Sequence, residues 1–160
     1  MLILDKRDLQ KTIRIENQEV EIKTDFRTWI QFSCIVSDKY IDENYKIPML
    51  FDLVIPNYEL YMKSIDSLEL LKGILDFYKC LVGSEMCIRD RDKPEKKPNK
   101  KVGFLFDYDM DLIFAAFMQQ YGINLLRTNM HWWEFKALLN GLNDDTKFVQ
   151  VVGYLSLIHI

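Results

Sequence analysis

Two adjacent tryptophans in the string HWWEFKALLNGLNDDTKFVQ (131–150) constrain this chain more than any other feature. Neighbours on a helix point about 100° apart, and tryptophan is large, so the pair asks for two buried surfaces rather than one. On a helix spanning 130–142, Trp132, Phe135, Leu138, Leu139 and Leu142 fall within an arc of about 120° and form the core stripe. Trp133, Ala137 and Gly141 fall on another side at i, i+4, i+8, where small residues admit a second helix. Thr128 or Asn129 can cap this helix, and Asn143, Asp144 and Asp145 give a negative start to a last one, 146–154.

The rest of the chain reads as mainly α, an α+β fold of about five to six helices with one short hairpin. With 160 residues it supports one core, and two domains would be a tight fit. TIRIE (12–16) and EVEIK (19–23) alternate apolar and polar residues around Asn17-Gln18, the pattern of a hairpin too small to stand alone. Thr24 or Asp25 caps a helix to about Ser37 whose stripe is Phe26, Trp29, Ile30, Ser33 and Val36, with the hairpin as its nearest partner. Pro48 suits the first turn of a short helix, 49–55, which Pro56 stops; residues 58–64 stay ambiguous. Ser67 or Asp66 starts a helix to about Lys79 with Leu68, Leu71, Leu75 and Tyr78 on one face and Gly73 as a weak point. GFLFDY (103–108) reads as a short strand or an extended lead-in. Asp109 then caps a helix to Tyr121 with Met110, Ile113, Phe114, Phe117 and Tyr121 on one face, and Gly122 supplies a left-handed stop.

Two segments break this organisation. CLVGSEMCIRDR (80–91) interrupts a helical period and looks like a translated sequencing adapter, a string that recurs in unrelated metagenomic reading frames. LSLIHI (155–160) looks like another, so the domain is placed at 1–154 and the natural chain is expected to continue past Tyr154. DKPEKKPNKK (92–101) has no apolar residue and completes a solvated linker within 80–102.

The composition narrows the function classes. Aromatics at 13% and hydrophobics at 49% exceed what disorder carries. A net charge of −3 gives no general pull toward nucleic acid or anionic membrane. No apolar run approaches a membrane span and the start lacks a signal-peptide core, so the cytoplasm is the expected location. Three cysteines, Cys34, Cys80 and Cys87, are an odd number without CxxC spacing, which weighs against a disulfide framework and a zinc site.

The candidate chemistries are thin. Asp107, Asp109 and Asp111 alternate like the opening of a calcium loop, but Leu112 and Met118 stand where glycine and glutamate are needed. His131 and Glu134 share a face but are too few for a metal. No nucleophile elbow, P-loop or dinucleotide fingerprint occurs. The expectation is a protein with no catalytic, metal or cofactor-binding residues. The lysines at 93, 96, 97, 100 and 101 keep nucleic-acid binding as a third alternative, but the nearby aromatics lie in amphipathic stripes that read as core.

TDFRTWIQF (24–32), DFYKC (76–80), FDYDMDLIFAAFMQQYGINL (106–125) and HWWEFKALLNGLNDDTKFVQVVGY (131–154) together resemble the "gene product fifteen" family of tailed bacteriophages and prophages. The chain departs from that pattern at 80–91 and in lacking a lysine-rich helical tail. The resemblance implies a tail-module protein, a chaperone that keeps the tape-measure protein soluble during long-tail assembly, with a minor structural component of the neck or tail as the alternative. The partner it implies is the tape-measure protein; self-association and retention in the virion stay open, and no membrane partner is expected. The surface expected to bind it combines Trp133, Ala137 and Gly141 with Met118, Gln119 and Gln120.

Overall fold

The computed structural model describes residues 9–61, 63–80 and 105–158. Among them are two strands, β1 (Thr12–Ile15) and β2 (Gln18–Glu21), and six α-helices: α1 (Phe26–Ser37), α2 (Glu43–Val54), α3 (Ser67–Lys79), α4 (Phe106–Tyr121), α5 (Trp132–Asn140) and α6 (Lys147–Ile158). This is the mainly helical fold with an N-terminal hairpin that the sequence predicts. The lysine-proline stretch and all of 80–91 except Cys80 lie outside the described residues. Cys80 is disulfide-bonded, a correction to the cysteine count, since an odd number of thiols cannot exclude a single bridge.

The hairpin is antiparallel with Ile13 opposite Val20 and Ile15 opposite Gln18. That register puts the turn at Glu16-Asn17, one residue earlier than Asn17-Gln18, and it is Glu16 that takes the left-handed φ of 52°. Ile13, Ile15, Val20 and Ile22 are buried on one face. They pack on α3 rather than on α1. Gly73 is the seat of that contact: a Cβ there would lie 3.4 Å from Ile13 Cδ1 and from Ile15. A methyl just fits, so Gly73→Ala should hold or raise stability by up to ~1 kcal/mol through helix propensity. Gly73→Leu must push the hairpin away and should cost roughly 1–3 kcal/mol. Thermal unfolding of both variants checks this, and two equal shifts would refute the close approach.

The helix starts follow from their caps. Asp25 accepts from Arg27 N–H at 2.9 Å and Asp66 from Leu68 N–H at 3.1 Å. In α2 the helix begins earlier than predicted, with Asp42 as cap and Pro48 inside it. Residues 42–45 and 47–49 are exposed, so no apolar period marks the first turns. The buried face of α3 is Leu70, Ile74 and Phe77, while Leu68 is 59% exposed. In α1 it is Phe26, Trp29 and Phe32, with Val36 outside. Helix α4 begins at Phe106, where the Asp109 carboxylate reaches back to Leu105 N–H at 3.0 Å. Gly122 closes it at φ 65° as expected.

The core joins α1 to α2, α4 and α5, and α4 to α5 and α6. Trp29 is its hub, with ring centres 4.8 Å from Phe77, 5.2 Å from Phe32 and 6.4 Å from Trp132. The start of α6 is fixed by Thr146, whose hydroxyl donates to the Asn143 carbonyl at 2.8 Å and accepts from Val149 N–H at 3.4 Å.

Candidate functional site

The last turn of α3 leaves carbonyls without partners inside the helix, and the Trp-Trp pair answers that need. Trp132 Nε1 donates to the Tyr78 carbonyl at 3.1 Å, and Trp133 Nε1 donates to the Phe77 carbonyl at 3.0 Å. Successive indoles thus serve successive carbonyls. Lys136, one turn on, donates to Tyr78 O at 2.7 Å and Cys80 O at 3.0 Å and lies over the Tyr78 and Trp132 rings. A cation is favoured at a helix C-terminus, and burial pushes this amine down to about 8.

Trp133 is therefore inside the protein, only 9% exposed, against Phe77 at 4.9 Å between ring centres. This corrects its assignment to a docking face: helical periodicity placed it off the main stripe, and α3 supplies the second surface it needs. Gly141 also serves an internal contact, since a Cβ there would meet the Tyr121 hydroxyl at 3.1 Å. Ala137 and Gly141 are otherwise exposed.

His131, rather than Thr128 or Asn129, caps α5. Its Nδ1 accepts from Trp133 N–H at 3.1 Å, so Nε2 carries the proton and donates to the Gln10 carbonyl at 3.0 Å. Glu134 accepts from His131 N–H at 3.0 Å and completes a capping box. The starts of α1 and α5 are also bonded to each other: Phe26 N–H donates to Met130 O at 3.1 Å and Trp132 N–H to Thr24 O at 2.8 Å. Arg27 reinforces the junction, with one nitrogen on Leu125 O and Thr128 O at 2.9 Å each.

Among the described residues, no three of His, Cys, Asp and Glu gather as a metal site. A cavity of about 410 Å³ lies between α1, α3, α4 and α5, lined by Cys34, Tyr78, Asp107, Trp132, Lys136 and Leu139 among others. Burial, then the hydrogen bond and charge of Asp107, push the Cys34 thiol up to about 12. A thiol held protonated is a poor nucleophile.

The remaining predicted partner residues lie at the far end of α4. Gln120 clamps α4 to α5, its amide donating to Gly141 O at 2.9 Å and its carbonyl accepting from Asn143 N–H at 2.7 Å. Met118 and Gln119 are exposed beside it. They continue an outward face of α4 that also carries Tyr108, Asp111 and Ala115. Tyr108 was missed because Asp109 looked like the cap, which left Tyr108 outside the helix, and without it Asp111 and Ala115 did not stand out; the spacing 108, 111, 115, 118 was the available signal.

No described helix is long and apolar enough to cross a membrane. No curated protein and no solved structure matches the chain. A family model does, over residues 6–157: the one described as Bacteriophage Gp15 protein.

Proposed function

The chain belongs to the bacteriophage Gp15 family, and on that premise we propose that it is a tail-assembly chaperone which holds the tape-measure protein soluble until the tail tube forms around it. The observation that carries this reading is the outward face of α4, where Tyr108 is 82% and Met118 42% exposed on a helix whose opposite side is fixed in the core. A long helical client with apolar stripes needs such a face, rigid enough to bind and small enough to release.

The test is co-expression with the tape-measure protein encoded by the same phage. The client should move from the insoluble to the soluble fraction and co-purify with this chain. Mass spectrometry of mature particles should then find the client without the chaperone. A client that is equally insoluble with and without this chain refutes the proposal, and stoichiometric presence in the particle assigns it to the neck or tail structure instead.

A further inference from the structure

We infer that the outward face of α4 seats a basic amphipathic helix, one with an apolar stripe flanked by lysine or arginine; this rests on the chaperone reading for who supplies that helix. Opposite the buried Phe106, Ile113 and Phe117, the helix exposes Tyr108, Asp111, Ala115, Met118 and Gln119, while Asp107 at the edge of this face turns to the cavity that Cys34 and Lys136 line. Tyr108, Ala115 and Met118 give a stripe with a large aromatic at one end and a small residue in the middle, where a second helix approaches closely. A helix presents no strand edge, so an extended peptide finds nothing to pair with. Side chains must make the contact, and a helix matches the repeat.

The charge of this face sets the sign of the partner. Helix α4 has three carboxylates, Asp107, Asp109 and Asp111, and no Lys, Arg or His. The helix dipole explains acids in the first turn, Asp107 and Asp109. Asp111 lies beyond that turn, is exposed, and makes no hydrogen bond or ion pair among the described residues. The neighbouring α6 start adds Asp144 and Asp145 against Lys147, and Lys79 and Lys136 line the cavity beside Asp107, so the sign of the face rests on Asp111, Asp144 and Asp145 among the described residues. Phosphate backbones are repelled by such a face. Two copies of it would set carboxylate against carboxylate, which disfavours a symmetric dimer through α4.

The probes are two fluorescent peptides about as long as α4, with the same leucine stripe, one flanked by lysines and one by glutamates. Fluorescence anisotropy with the full chain should show the lysine peptide binding at least about tenfold tighter. Tyr108→Ala should weaken that binding about tenfold, and Asp111→Lys should weaken the lysine peptide while strengthening the glutamate peptide. Both positions are exposed, and circular dichroism verifies that the variants fold; Ala115→Arg, which blocks the stripe, gives an independent check. Equal binding of the two peptides, or indifference to all three substitutions, overturns the inference. So does sedimentation showing a dimer that Tyr108→Ala dissociates, because a second copy is then the occupant. If Tyr108→Ala still solubilises the tape-measure protein, the chaperone reading stands and this face falls. If the lysine peptide binds as stated while the wild type leaves the tape-measure protein insoluble, the face stands and the chaperone reading falls.

Discussion

Trp29→Ala is expected to lower the unfolding free energy by ~3–5 kcal/mol, the largest loss from any single truncation in this chain. Trp29 is fully buried and touches aromatic rings from α1, α3 and α5. Its indole also donates to the Lys23 carbonyl at 2.8 Å, which ties the end of the hairpin to α1. No neighbour can collapse into the space, because Phe32, Phe77 and Tyr78 are each held by further rings packed against them. A small domain has only about 5–15 kcal/mol in total, so the variant should unfold at markedly lower urea. Trp29→Phe keeps a ring but loses volume and the donor, and should cost roughly 1–3 kcal/mol. Urea titrations followed by far-ultraviolet circular dichroism measure both; a Trp29→Ala midpoint equal to that of the wild type contradicts the hub.

His131→Ala should cost about 2–3 kcal/mol, from a lost cap on α5 and a lost partner for the Gln10 carbonyl. The same residue makes the fold acid-sensitive. Burial, the largest influence, lowers the His131 pKa from its ordinary 6.5. The unfolded chain therefore takes up a proton near 6.5 that the folded chain refuses, so stability is level above that pH and falls as pH drops below it. The geometry agrees, because a protonated ring can no longer accept from Trp133 N–H. His131→Asn keeps a capping oxygen and removes the titration. The wild-type minus Asn difference in stability should shrink between about pH 7 and 5, and a difference that is constant over that window counts against the neutral cap.

Much of the fold is legible in the sequence, and the misses share a cause. The caps of α1 and α3 could be narrowed to two neighbours each, of which Asp25 and Asp66 serve, and the stop at Gly122 could be read outright, because each is a local event decided by residues within one turn. The face of α3 could not. Leu68, Leu71, Leu75 and Tyr78 form as good an apolar stripe as Leu70, Ile74 and Phe77, and when two faces are apolar the pattern does not say which one the rest of the protein covers. Helix α2 hid its start because its first turns are largely exposed and carry no apolar period. Trp133 was rightly separated from Trp132 by angle, but the carbonyl of Phe77 that claims it belongs to another helix. As for the candidate site, Met118 and Gln119 were found from sequence, while Tyr108 needed the true start of α4, and Asp111 and Ala115 join the face only once Tyr108 is on it.

The bonded starts of α1 and α5 bear on the order in which the chain matures on the ribosome. Helix α5 has nine residues, too few to persist alone, and its first N–H is satisfied by Thr24, about a hundred residues upstream. The first N–H of α1 waits in turn for Met130. A nascent chain that ends before Met130 thus holds α1 without its partner carbonyl and leaves Trp29 without Trp132 beside it. Such long-range closure slows folding. The protein should therefore acquire its native state only after release of nearly the whole chain, and partial products should be caught by proteases rather than accumulate as a folded N-terminal half.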